Sequence, residues 1–274
     1  MSARPHANVN VWIPPDATES EMSRGRSLAE DLQLPIMQEW QSERVLALRY
    51  HEENRLAVHR FLDRNRAGYS VEPHILKRAH GRYSADQSHP LGRAIGKDAV
   101  HVLDATAGFG QDAIHLAASG LRVTALERCP IVHALLNNCI ERIHADGRLR
   151  AAIEPHDRLQ LIRADAASFL QSPREMLFDV IYLDPMFPSK RRKSALPPLA
   201  AQILRTLAGD DEDALQLAEL AITKAKQRIV IKRPDHAPPL VPAPAFSFAS
   251  KLVRYDVYLP QTARIQIRTE PHIE

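Results

Sequence analysis

The sequence predicts an α/β fold: a Rossmann-like, doubly wound parallel sheet preceded by a small α+β extension. Three observations carry this reading. Beyond about residue 99, short unbroken apolar runs alternate with stretches of helical periodicity, as strands covered by helices on both faces require. A glycine turn, A-G-F-G at 107–110, links the first of these runs to the first helix. Four successive runs end at or near an acid: Asp104, Glu127, Asp165 and Asp184.

In chain order, residues 8–13, 44–50 and 56–61 read as short strands and 19–32 as a helix. Together they form a small α+β region, residues 1–95, and residues 96–274 form the main domain. Residues 100–103 are its first strand, closing on Asp104. A helix over 111–119 stops at Gly120, which suits the position just past a helix end. A strand over 122–126 reaches Glu127, and a helix over 131–145 has Gly147 beyond it. Strands over 159–163 and 178–183 run to Asp165 and Asp184. A helix over 213–226, a strand over 228–232, the proline-rich loop 234–244 and a last strand over 250–258 complete the pattern.

The chain has 274 residues, with 36 Lys and Arg against 33 Asp and Glu, a formal charge of +3. Balanced charge argues against a disordered tail or a purely electrostatic nucleic-acid binder. At 45% hydrophobic residues there is enough apolar side chain for a full core. Two cysteines, Cys129 and Cys139, exclude a disulfide scaffold and are too few for a zinc site, so no metal is expected. Residues 1–16 lack the apolar stretch of a signal peptide, and no uncharged apolar run reaches ~18 residues. A cytoplasmic protein away from the membrane is expected.

Ligands of open parallel sheets sit beyond the carboxyl ends of the strands. One acid there is ordinarily a helix cap; four in register beside a glycine turn point to a ligand site. In D-A-T-A-G-F-G-Q-D-A, residues 104–113, Gly108 and Gly110 let the backbone approach a ligand closely. Read as G-x-G-x-x-A followed by Glu127, whose carboxylate suits two ribose hydroxyls, the turn indicates an adenosine-containing cofactor. That leaves a nicotinamide dinucleotide and S-adenosyl-L-methionine (SAM) both open. Asp104 and Asp112 surround the turn with negative charge, which suits a sulfonium or ammonium and repels a pyrophosphate.

D-P-M-F-P, residues 184–188, points to the same cofactor from the acceptor side. An exocyclic amine has its lone pair delocalised into the base, so it must be held by acceptors and by an aromatic face. Asp184, the carbonyl of Pro185 and the ring of Phe187 supply these groups, while Pro185 and Pro188 stiffen the backbone that carries them. Lys190, Arg191, Arg192 and Lys193 follow at once, four cations suited to RNA phosphates. Lys77, Arg78, Arg82, Arg93 and Lys97 within residues 75–97, together with Lys232 and Arg233, extend this track. Aromatic residues are too sparse for base stacking along a single strand.

The stretches D-A-T-A-G-F-G-Q-D, L-E-R-C-P-I-V, Y-L-D-P-M-F-P with K-S-A-L beyond it, and V-I-K-R-P-D-H-A-P-P-L closely resemble the bacterial small-subunit ribosomal RNA methyltransferase J family. The resemblance spans roughly residues 100–260. It implies a class I SAM-dependent fold and methylation of the exocyclic N2 of a guanine in 16S rRNA, with the small ribosomal subunit as partner. By position it implies cofactor contacts from Gln111, Asp112, Glu127, Arg128, Asp165, Ala166 and Asp184. Gln111 stands where some members carry Arg, and Asp165 and Ala166 where some carry serines. The family's arginine-containing segment ahead of the core is echoed only by K-R-A-H-G-R, residues 77–82, and L-G-R-A-I-G, residues 91–96. Rival readings are an amino-methyltransferase for adenine or a protein amide, a nicotinamide oxidoreductase, and a non-catalytic RNA-binding assembly factor. The sequence leaves the oligomeric state open.

Overall fold

A computed structural model describes residues 8–40, 45–61, 66–73, 89–154, 158–172, 178–186 and 198–260. Along the chain run β1 (Asn8–Trp12), α1 (Glu19–Leu32), β2 (Ile36–Met37), β3 (Val45–His51), β4 (Arg55–Arg60), α2 (Pro90–Ile95), β5 (His101–Asp104), α3 (Gln111–Ala118), β6 (Arg122–Glu127), α4 (Pro130–Ala145), α5 (Gly147–Ala152), β7 (Leu159–Arg163), α6 (Ala166–Gln171), β8 (Val180–Leu183), α7 (Leu199–Ala208), α8 (Ala214–Lys224), β9 (Arg228–Pro234), β10 (Phe246–Ala249) and β11 (Val253–Tyr258). They divide into two compact units: residues 1–74, 128–150 and 189–209 in the first, and 75–127, 151–188 and 210–274 in the second.

The first unit holds a four-stranded sheet of order β2-β1-β3-β4. Helix α1 begins at Thr18, whose hydroxyl accepts the Glu21 amide while the Glu21 carboxylate accepts the Thr18 amide, a reciprocal cap. That crossover lets β2 lie parallel to β1. The short loop between β3 and β4 permits only antiparallel pairing. Helices α4 and α7 lie late in the sequence but belong to this unit. Asn138 of α4 fastens the helix to the sheet: its side-chain oxygen accepts the Leu56 amide at 2.9 Å and its nitrogen donates to the Asn54 carbonyl at 2.7 Å.

The second unit is built on a seven-stranded sheet of order β10-β11-β9-β8-β5-β6-β7. From β9 to β7 the strands are parallel. Strand β11 runs antiparallel to both its neighbours. The expected parallel sheet with one final strand over 250–258 is therefore corrected at its edge. Three residues separate β10 from β11, and the Ser250 amide bonds to the Val253 carbonyl across them, a connection far too short for a parallel crossover. This inserted antiparallel strand departs from the all-parallel 3-2-1-4-5-6 order of dinucleotide-binding sheets.

Helices α2 and α6 span six residues each, less than the window in which helical periodicity is legible. Leu103, Leu126, Ile181, Leu183, Ile229 and Ile231 pack with Phe178, Leu217 and Tyr258 in the core. Because β5 sits between β6 and β8, the chain leaves it on one side and returns on the other. A crevice at such a reversal, beyond the carboxyl ends of the strands, is where ligands of open α/β sheets bind.

Candidate active site

At the end of β6, Glu127 is buried and its Oε2 accepts the Gly108 amide at 2.9 Å, while its carbonyl accepts the Ala164 amide. One carboxylate thus ties the glycine turn to its sheet edge. Gly108 and Gly110 have φ of 54° and 71°, a left-handed backbone that residues with a Cβ adopt at a cost. The turn is closed by the Gly110 amide donating to the Ala107 carbonyl at 2.8 Å. Gln111 is exposed at the start of α3. Asp165 caps α6 by accepting the Ser168 amide at 2.9 Å, and Ala166 is buried behind it. Arg128 belongs to the other unit, as its first residue after the β6 strand.

The charged centre lies on β5, α3, β8 and β9. Lys232 of β9 donates from Nζ to Asp112 Oδ2 at 2.7 Å and to Asp184 Oδ2 at 2.9 Å. The Tyr182 hydroxyl donates to the same Asp112 oxygen at 2.6 Å. Asp184 keeps 41% of its side-chain exposure, against 24% for Asp112 and 22% for Lys232, so Asp184 is the member most open to a substrate. Register explains the meeting: Leu183 pairs with Ile231, which sets Asp184 level with Lys232, and Tyr182 lies two residues back on the face shared with Asp184.

These neighbours set the protonation states. Burial drives the Asp104 carboxyl well above the ordinary carboxylate range, and nearby Asp112 pushes the same way. Burial raises Asp184 too, with Lys232 opposing it. At Asp112 burial is outweighed by the Lys232 ammonium and by hydrogen bonds from Lys232 and Tyr182, which leave the carboxyl below its usual value. Burial works against the Lys232 charge, yet Asp184 and Asp112 hold it above the normal lysine range.

The backbone around Pro185 is anchored on both sides. The Asp184 amide donates to the Thr106 hydroxyl at 2.6 Å, and the Met186 amide donates to Asp211 Oδ2 at 2.6 Å. Pro185 itself is buried. The glycine turn thus holds the D-P-M segment directly, since Thr106 belongs to that turn. Phe187, Pro188 and Lys190, Arg191, Arg192 and Lys193 lie outside the described residues.

Three expectations are corrected here. Lys232 is spent on the carboxylates of Asp112 and Asp184 instead of extending a phosphate track. Arg233 is buried and donates twice to the Pro238 carbonyl, at 3.1 and 2.9 Å. The acidic edge is also less negative than the residue types suggest, because Lys232 neutralises it from within and Asp104 is driven toward its protonated form. Arg93 of the expected basic patch lies over the Phe248 ring, 5.1 Å from its centroid. Sequence reasoning missed the roles of Thr106, Tyr182, Asp211 and Lys232. A lysine embedded in the apolar run V-I-K, beside a strand ending in aspartate, was the available signal.

Cys129 and Cys139 are free and buried, and burial pushes the Cys139 thiol up to about 12, which rules it out as a thiolate nucleophile at neutral pH. Among the described residues no group of three or more His, Cys, Asp or Glu is arranged to hold a metal, and no helix is long and apolar enough to cross a membrane.

The family described as "Putative SAM-dependent methyltransferase" matches residues 27–260. A protein of Thioalkalivibrio sulfidiphilus named ribosomal RNA small subunit methyltransferase J is 44% identical over 181 residues, 63% of this chain and 68% of that protein. A protein of the same name from Pectobacterium atrosepticum is 42% identical over 183 residues, 65% of this chain and 72% of that one. Among solved structures, a SAM-dependent methyltransferase from Neisseria gonorrhoeae superposes with a TM-score of 0.69 at 26% identity, covering 96% of this chain and all of that one.

Proposed function

The chain belongs to the SAM-dependent methyltransferase family whose relatives are named ribosomal RNA small subunit methyltransferase J, and from that membership we propose that it methylates the exocyclic N2 amine of a guanine in 16S rRNA. The observation that carries the proposal is Asp184, a partly exposed acceptor on a doubly anchored D-P-M segment, at the sheet edge beside a glycine turn tied to Glu127.

The residues present fit SAM. Gly108 and Gly110 bring backbone without side chains to the crevice. Glu127 has two carboxylate oxygens with about four acceptor positions, so it can serve ribose hydroxyls while it holds Gly108. Asp165 stands at the next strand end, where an adenine amine would lie. When bound, SAM supplies an electrophilic methyl group on a sulfonium.

The chain's own residues position the acceptor. The guanine leaves its stack to reach the pocket, at a cost of a few kcal/mol that contacts to the flipped base offset. Asp184 and the Pro185 carbonyl accept from the N2 amine, and Phe187 packs on the base. Holding the amine in line for attack is the main contribution such a site makes, because the transfer needs no covalent enzyme intermediate. Lys190, Arg191, Arg192 and Lys193 neutralise phosphates and orient the RNA. On this reading the N-terminal region, residues 1–95, adds RNA contact, the whole small subunit or its rRNA is the partner, and the protein works in the cytoplasm without a metal.

The test is incubation of the purified chain with methyl-labelled SAM and 16S rRNA, or small subunits, from a strain lacking the gene. Label in N2-methylguanosine after nuclease digestion is the expected result. No transfer to guanine in either substrate overturns the reading, and label in N6-methyladenosine replaces it with the adenine alternative.

A further inference from the structure

A half-buried lysine lies against the proposed catalytic aspartate. Lys232 Nζ sits on Asp184 Oδ2, and among the described residues no donor is placed on Asp184 Oδ1. The charged and titratable groups around Asp184 are Lys232 from β9, Asp112 from α3, Asp104 from β5, Tyr182 from β8, Tyr255 from β11 and Asp211 ahead of α8. All but Lys232 are acids or phenols. Within this set Lys232 is the member that favours the ionised aspartate, while burial and the neighbouring Asp112 and Asp211 favour its protonated form.

The protonation state decides which base edge fits. Beside its N2 amine, guanine carries an N1–H, so the N1–N2 part of its edge presents two adjacent donors, with the O6 acceptor on the far side of N1. Beside its N6 amine, adenine carries an N1 lone pair, a donor next to an acceptor. A carboxylate accepts and never donates, whereas a protonated carboxyl does both. An ionised Asp184 therefore matches guanine and meets the adenine N1 lone pair with a second lone pair. A protonated Asp184 suits the mixed edge.

Resting on the guanine reading above, we propose that Lys232 is the specificity-determining positioning residue of this site: by gripping Asp184 through Oδ2 it keeps Oδ1 an acceptor-only atom, which selects a guanine edge over edges with an unprotonated N1. In the transfer, the N2 lone pair forms the bond to the methyl carbon, and the carbon–sulfur electron pair stays on the sulfur of SAM. One N2 proton then leaves, and Asp184 Oδ1 is the acceptor in place. Lys232 touches neither substrate nor methyl group and acts only through Asp184. Asp112 Oδ2 completes the grip by accepting from the same ammonium, and the Tyr182 hydroxyl donates to that Asp112 oxygen.

The test uses the full chain and small-subunit rRNA in which the mapped target guanine is retained or replaced by 2-aminopurine. That base keeps the N2 amine but has an unprotonated N1. Wild type is expected to prefer guanine at least tenfold in kcat/KM. Lys232→Met is expected to cut kcat on guanine at least tenfold at pH 7, to shift the acid limb of the pH profile upward, and to shrink the guanine preference severalfold. Lys232→Arg, which keeps the charge, is expected to restore the preference in part. Asp112→Asn, which removes a nearby negative charge, is expected to move the acid limb down, and it supplies the test if Lys232→Met does not fold.

A folded Lys232→Met with the wild-type preference and acid limb overturns the proposal, as does an acid limb that moves in neither variant. If wild type transfers no methyl to guanine at all, the failure belongs to the guanine reading and not to Lys232.

Discussion

On β5, α3, β8 and β9, Asp104, Asp112, Asp184 and Lys232 lie together with Tyr182, and hydrogen bonds join Lys232, Asp112, Asp184 and Tyr182. In the other unit, His51 and His59 face each other ring to ring with 2.9 Å between their Nε2 atoms, beside Trp12, and Arg49 stacks over that Trp. Burial, with the Arg55 and Arg49 cations, pulls His51 down to about 4, so it is neutral at physiological pH. Asn138 shows the same habit, burying a neutral amide that is satisfied by backbone alone. The difference teaches that burial removes charge unless an opposite charge is buried with it. Charge retained at such cost marks the place where chemistry is expected, and neutral burial marks architecture.

The largest expected effect sharpens this contrast at its chemical end. Asp184→Ala is expected to lower turnover by about 100-fold or more, the scale on which single electrostatic or hydrogen-bonding groups act in transition states. Its melting temperature should stay close to wild type, because the side chain is partly exposed. A folded variant with wild-type turnover would remove Asp184 from the reaction.

Next in size is the architectural end. Asn138→Leu should destabilise the protein by about 2–3 kcal/mol, since the Leu56 amide and the Asn54 carbonyl lose their partner together. Urea unfolding reads this directly, and an unchanged midpoint would break the idea that α4 is fastened by that amide.

Gly110→Ala should cost about 1–2 kcal/mol through its positive φ. It should also weaken the thermal stabilisation that S-adenosylhomocysteine confers, because binding to the folded state raises stability by mass action. Wild-type stabilisation by that ligand would place the cofactor away from the glycine turn.

The smallest effect concerns acid. A histidine whose folded pKa is depressed to about 4 from 6.5 binds fewer protons folded than unfolded between those values. Its stabilising contribution is therefore present above about pH 6.5 and is lost as pH falls toward 4. His51→Gln should flatten the fall in melting temperature over that window, and an unaltered slope would show that His51 is not the sensor.

Much of the second unit was legible in the sequence because its signals are local. An apolar run ending in an acid, a glycine turn and a following helix are each set by neighbours within about ten residues, so the strands ending at Asp104, Glu127 and Leu183 and the turn at Gly108 and Gly110 were read close to where they lie. The antiparallel hairpin of β10 and β11 was harder to see, because Phe246 to Ala249 lies mostly exposed at the sheet edge and carries no strong apolar pattern. Helix α7 belongs to a unit assembled from three separate pieces of chain.

By itself the sequence determined the residue types at the strand ends, the φ freedom of the glycine turn and the stiffness of D-P-M-F-P. These are properties of single residues and their immediate neighbours. Only the tertiary structure decided that Lys232 meets Asp184 and Asp112 across 48 and 120 residues, that Thr106 and Asp211 hold the two amides on either side of Pro185, and that Arg233 turns inward. Such pairings follow from strand order and register, and a strand of apolar residues carries the same local pattern whichever neighbour it is placed beside.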